Sequence, residues 1–268
     1  CRDVEKSEIV FAGLRNAGMR GSVEAVRLDL GDLASVRRCA DQILSKVPHL
    51  DGLVNNAGVM NTPQGRTKDG FETQFGTNHL GHFLLTELLV PRLVESAPSR
   101  IVNLSSCYHD KAMGRQGAID WDDPNFLRRK YDGWTAYAQS KLANLLHAQD
   151  LANRLTDKGV LAVSVHPGWV RTRLIAPTMP LWFQDTVLRP FGRWMGLLEP
   201  FEGVQSSLYA LLSPEALKYP GGYFSQIGWY RDRQLNKGAW PMRSPNPNAA
   251  DSEAPQRLNR LSRTLVGL

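Results

Sequence analysis

The stretch YAQSK sets Tyr137 and Lys141 four residues apart. On a helix that spacing puts both on one face, about 6 Å apart along the axis. A phenol ordinarily titrates near pH 10, too high for acid–base work at neutrality. An ammonium held about 5 Å from the phenolic oxygen would favour the phenolate by about 3 kcal/mol at an effective dielectric near 20, roughly two pKa units. The pair then reads as a proton-transfer device in the range where a general acid–base is efficient; taken alone, it is two residues on a helix surface.

Other segments could converge on that pair. RIVNLSS ends in two hydroxyls, Ser105 and Ser106, and a serine there can hold a carbonyl oxygen beside the phenol. LVNNAG ends in Asn56, Ala57 and Gly58, where a glycine admits close backbone approach to a ligand. HPGWVRT stops at Pro-Gly and leaves a backbone donor at Val170 and a hydroxyl at Thr172. In an open α/β sheet, ligands bind outside the C-terminal ends of the strands. Three strand ends and one helix meeting there are stronger than any one motif.

The elements that must position these groups follow from the pattern. Residues 23–28 (VEAVRL), 50–58, 100–106, 160–168 and 222–227 read as strands, and 35–47, 71–96, 135–156 and 203–212 as helices. A capped C-terminal helix follows NPNAADSEAPQRL, with Asp251 or Ser252 near its start. Alternating strands and helices predict an α/β fold, a parallel sheet covered on both faces. No internal repeat or low-complexity linker divides the 268 residues, so one domain spanning 1–268 is expected. Within it, 171–200 carries Leu174, Trp182, Phe183 and Trp194 with poor periodicity, and reads as an apolar lid over a greasy substrate, as a packed helical excursion, or as a patch for a partner or membrane. Trp134 and Trp169 also fall at substrate-side segments.

Composition narrows the classes. No run approaches about 18 apolar residues, so no membrane span is expected. Three widely spaced cysteines, Cys1, Cys39 and Cys107, argue against a disulfide scaffold and for a reducing, cytoplasmic setting. Net charge is +6, but the basic residues form no dense block, so nucleic acid is not an expected partner. His79 and His82 lie three apart with no evident third ligand, so no metal is expected. His109 and His166, near strand ends, read as hydrogen-bonded loop residues.

With these residues in view, the chain resembles the short-chain dehydrogenase/reductase (SDR) family, and within it the retinol-dehydrogenase-like and WW-domain-oxidoreductase-like branch. The resemblance is carried by Cys1-Arg2-Asp3, LDL at 28–30, NNAGVM at 55–60, DGFETQFGTNHLGHFLLT at 69–86, SRIVNLSS at 99–106, YAQSKLAN at 137–144 and HPGWVRT at 166–172. It implies a Rossmann-like doubly wound sheet and roles for single residues. Tyr137 is implied as the acid–base, Lys141 as the group that lowers its pKa and holds the nicotinamide ribose, and Ser106 as the partner of the substrate oxygen, with Ser105 structural. Asn78 would anchor a water in a proton relay, or else be a buried helix asparagine bonded to backbone. Asp29 and Leu30 would contact the adenine, Asn56, Ala57 and Gly58 would pass under the adenosine ribose, and Val170 and Thr172 would hold the carboxamide. Arg2 would meet a 2′-phosphate, which implies NADP; Asp3 beside it leaves NAD open.

The resemblance further implies hydride transfer between the nicotinamide and a lipophilic carbonyl or alcohol, with homodimerisation through long helices as a family habit. It also implies about 40 residues ahead of Cys1, comprising a strand, a glycine-rich turn and a helix. GLRNAGMRG at 13–21 is not that turn: its spacing is G-x4-G-x2-G, and it follows a helix. In strand order 3-2-1-4-5-6 the first strand is central, so the expectation is an N-terminally truncated chain, unstable or inactive by itself. The rival expectation is a truncated, non-catalytic fragment that binds protein or lipid through 171–200.

Overall fold

In the computed structural model, which describes residues 1–18, 20–171, 197–225 and 241–268, aliphatic side chains alternate between two faces of a parallel sheet. Strand β1 (Gly52–Asn55) pairs with β2 (Ser99–Leu104), β2 with β3 (Val160–His166), and β3 with β4 (Tyr223–Ser225). Ile101, Val160 and Ala162 face one core, and Val102, Leu104, Val163 and Val165 face the other. Both faces are therefore apolar, as a parallel sheet requires. The strands step outward in chain order, like the 4-5-6 half of the expected arrangement, and among the described residues nothing pairs with the outer edge of β1.

Helix α1 (Val4–Asn16) buries no residue; Asp3 caps it by accepting from Lys6 N at 3.2 Å. Helix α2 (Leu33–Lys46) is capped by Asp32. The larger core is built by α3 (Gly81–Glu95) and α4 (Gly133–Leu155), through residues such as Phe83, Leu84, Leu142 and Leu146. Helix α5 (Gln205–Leu212) covers the other face through Ala210, and α6 (Ala254–Val266) packs on α4. Asp251 accepts from Glu253 N ahead of α6, as its sequence anticipates.

Two expectations need correction. Residues 23–28 form no strand: Cys1 N donates to Val26 O and Leu28 N to Cys1 O, both at 2.8 Å, and a ladder that short does not propagate. The helix expected over 71–96 is broken in kind. A turn at Thr73–Phe75, capped by Glu72, passes through a π-helical turn at Gly76–Leu80 into α3. Single π turns concentrate at functional sites, and this one carries Asn78. The expected lid, apart from its ends, and residues 226–227 of the last strand lie outside the described residues.

Close packing fixes α3 against the loop that follows 23–28. A Cβ on Gly81 would sit 2.4 Å from the Leu30 carbonyl oxygen and 2.9 Å from Leu30 Cβ, neither of them a flexible chain end. Gly81→Ala is expected to cost about 1–3 kcal/mol, read as a lower urea midpoint with unchanged slope.

Candidate active site

The site is assembled at the C-terminal end of β2. Ser105 N donates to Val165 O at 2.8 Å and Ser105 Oγ to Lys141 O at 2.7 Å, so this residue sews the strand end to β3 and to α4. That is the structural part expected of it. The next residue, Ser106, is extended (φ −158°, ψ 157°) and caps a 3-10 turn over Cys107–His109 by accepting from Tyr108 N at 3.2 Å.

Helix α4 delivers Tyr137 and Lys141 to the same place. Tyr137 is 4% exposed and Lys141 5%. Lys141 Nζ donates to Leu104 O at 3.1 Å and stands 5.6 Å from the Tyr137 ring centroid. Asn144 Nδ2 also donates to Leu104 O, at 2.9 Å. Sequence reasoning missed this carbonyl as the meeting point; a backbone group carries no signal in residue type. Burial pulls the Lys141 ammonium down to about 8. Burial pushes the Tyr137 phenol well above its ordinary value, and the Ser106 hydroxyl works in the opposite direction. The acidified phenol expected from the Tyr–Lys spacing is therefore not what the structure shows: desolvation of a buried phenol outweighs an ammonium turned toward a carbonyl.

Asn78 is brought to the site by the π turn. Its Oδ1 accepts from Val59 N at 2.8 Å, and its Nδ2 donates to Val59 O and to Ser140 Oγ, both at 2.9 Å. Ser140 in turn donates to Tyr137 O at 2.8 Å. Both amide N–H groups are spent on pinning the NNAG turn to the helix of Tyr137; Ser140, inside YAQSK, went unnoticed as the link. Gly58 lies in the turn so held. A Cβ there would come 3.1 Å from Asn78 Oδ1 and 3.6 Å from Lys141 Nζ.

The remaining candidates spread outward. Asn56 and Ala57 are exposed on the turn after β1. Asp29 is exposed, with its Oδ1 accepting from Gly31 N at 2.9 Å. Leu30 is buried in the core, so its side chain is a packing group. Val170 lies in a two-residue strand paired with Leu198, packed against Gly203. Thr172 lies outside the described residues, as do Trp182 and Trp194. Arg2 is exposed, and among the described residues its guanidinium has no ion-pair partner. On the substrate side, the Tyr108 ring meets Tyr137 at 6.0 Å and Trp134 at 5.4 Å, both edge-on. His79 and His82 do not converge: His79 Nε2 bonds Ser262 Oγ and His82 Nδ1 donates to Asn78 O. His166 is buried, and among the described residues neither ring nitrogen has a hydrogen-bond partner.

The donor set fits a dinucleotide. Among the described residues Lys141 Nζ has one acceptor, Leu104 O, for three N–H donors, and it lies beside the Gly58 turn. A profile of the short chain dehydrogenase family matches residues 2–118. Human retinol dehydrogenase 13 is 41% identical over a 270-residue alignment that takes in 100% of this chain and 76% of the relative. The chain belongs to the short-chain dehydrogenase family. Within that family it is retinol-dehydrogenase-like: human retinol dehydrogenase 11 is 40% identical over 245 residues, covering 88% of this chain and 72% of the relative. Among solved structures, a protein of Mycobacterium paratuberculosis superposes with a TM-score of 0.70 at 34% identity, covering 99% of this chain and 82% of its own. The Pseudomonas aeruginosa RhlG/NADP active-site complex superposes at 0.62 with 25% identity, covering 85% and 83%. As a short-chain dehydrogenase the protein is an NAD(P)-dependent oxidoreductase, and this company does not favour the reading as a non-catalytic binding fragment.

Proposed function

We propose that the protein is an NADP-linked reductase or dehydrogenase for a lipophilic aldehyde, ketone or alcohol. The observation that carries this reading is the gathering of Ser106 and Lys141 about Tyr137, the Ser106 hydroxyl acting on the phenol and Lys141 Nζ standing 5.6 Å from its ring, at a sheet edge bordered by Tyr108 and Trp134. NADPH, when bound, supplies the hydride. Ser106 Oγ accepts from Tyr108 N at 3.2 Å and donates to the weak sulfur acceptor Cys107 Sγ, at 4.0 Å, so its proton can turn to the substrate oxygen. Tyr137, kept protonated by burial, gives its proton to that same oxygen as the alcohol forms. Lys141 stabilises the phenolate left behind and directs its spare N–H groups to the cofactor ribose. The aromatic border excludes water and favours apolar substrates. The retinol dehydrogenases it resembles are named for one such alcohol, and we extend to this chain only the substrate class.

Arg2 supports NADP over NAD. Among the described residues its guanidinium has no ion-pair partner, whereas the Asp3 carboxylate is occupied in capping α1 and pairing with Lys6 at 2.9 Å. Arg2→Ala is expected to raise KM for NADPH about 10- to 100-fold, the worth of a charged hydrogen bond, and to leave KM for NADH unchanged. Steady-state assays of long-chain and short-chain aldehydes with each cofactor test the whole reading. Equal kcat/KM for short polar and long apolar aldehydes, or NADH preferred over NADPH, would overturn it.

A further inference from the structure

The Ser106 carbonyl is held twice by one residue. His109 N donates to it at 3.0 Å and His109 Nδ1 at 2.5 Å. A carbonyl only accepts, so Nδ1 carries the proton. The other ring nitrogen, Nε2, then accepts from Ser244 Oγ at 2.6 Å. The ring is fully buried, with Tyr223 edge-on at 4.9 Å. Burial holds it neutral, with a pKa near 4, which agrees with one donor and one acceptor nitrogen.

The segment behind it is fastened as firmly. Asn246, with no exposed surface, donates through Nδ2 to His109 O at 2.7 Å and Gly117 O at 2.8 Å. Its backbone N donates to Ser244 Oγ at 3.1 Å. A segment more than 130 residues downstream in the chain thus braces the turn that presents the Ser106 hydroxyl.

We propose that His109, braced by Ser244, is a positioning residue that sets the backbone of Ser106 and so aims its hydroxyl at the substrate oxygen. This rests on the reading of Ser106 given above. A ring that only filled space would not need both nitrogens engaged in a fixed tautomer. The geometry also makes the two nitrogens separable by substitution. An asparagine amide reproduces the Nδ1 donor, and a glutamine amide reproduces the Nε2 position instead.

The test is steady-state aldehyde reduction by the protein, with each variant's thermal midpoint recorded. Ser106→Ala is measured first. His109→Gln is expected to lower kcat about 10²-fold, the loss that a displacement near 1 Å can bring, with KM for aldehyde unchanged. His109→Asn is expected to stay within about threefold of the parent, because the Ser106 contact is kept. Ser244→Ala, a half-buried loop change, is expected to lower kcat several-fold. In a Ser106→Ala background, His109→Gln is expected to cost nothing further, since residues acting as a unit are non-additive.

If Ser106→Ala keeps full activity, the reading of the site fails and takes this inference with it. If Ser106→Ala is crippled while His109→Gln is not, the inference alone is overturned. It is equally overturned if His109→Gln costs the same factor in both backgrounds, or if the Asn and Gln variants lose activity alike. Should His109→Gln not fold, Ser244→Ala carries the same cycle against Ser106→Ala, and additivity there overturns the proposal.

Discussion

Tyr137→Phe is expected to lower kcat for aldehyde reduction about 10³-fold, within the range a positioned general acid contributes, with KM for aldehyde changed no more than a few-fold. The variant should fold as the parent does. The ring is buried on α4 and meets Tyr108 edge-on at 6.0 Å, and phenylalanine keeps those contacts while removing only the hydroxyl. Burial keeps the phenol protonated across the neutral range, so in the reducing direction the acid is ready without prior ionisation. The reverse reaction, alcohol oxidation, needs the phenolate and is expected to climb as pH rises. Steady-state rates in both directions between pH 6 and 10, beside a thermal midpoint for the variant, check all of this. A Phe variant within tenfold of the parent kcat would remove Tyr137 from the chemistry.

The fold was legible where periodicity is set by burial. Strands β2 and β3 alternate or run apolar because both faces are covered, and α4 shows its buried stripe in Leu142, Leu145, Leu146 and Leu151. The reading faltered where structure depends on a neighbour. VEAVRL has strand composition, but a strand exists only in a pair, and Cys1 is too little partner for it. The π turn at Gly76–Leu80 adds one residue per turn without altering composition, so its sequence looks helical. At the site, spacing correctly placed Tyr137 and Lys141 together, and of the serine pair at the strand end Ser105 bonds Val165 O and Lys141 O while Ser106 caps the turn that follows. The electrostatic sign was wrong for a physical reason. Residue spacing reports distance between charges and nothing about desolvation, and here desolvation dominates both groups. His109 was read as a bonded loop residue, but its partner Ser244 lies 135 residues away and nothing local points to it.

Lys141→Met should separate activity from stability in opposite directions. Removing the ammonium takes away the stabilisation of the Tyr137 phenolate, about 3 kcal/mol at this range, and a cofactor hydrogen bond besides, so kcat/KM is expected to fall at least about 10³-fold. Yet the folded protein holds that charge at a cost. Its pKa is drawn down by burial to about 8 from an ordinary value of 10.5, which corresponds to a penalty on the order of 3 kcal/mol at neutral pH. Methionine fills a similar volume, and Asn144 still satisfies the Leu104 carbonyl. The variant is therefore expected to be more stable than the parent at pH 7, by about 1–3 kcal/mol in urea unfolding. Between pH 8 and 10.5 the unfolded parent keeps this proton while the native parent has released it, so rising pH favours the native parent and the gap should close. A methionine variant less stable than the parent at pH 7 would mean that the fold stabilises the Lys141 charge by more than the single carbonyl bond at its tip.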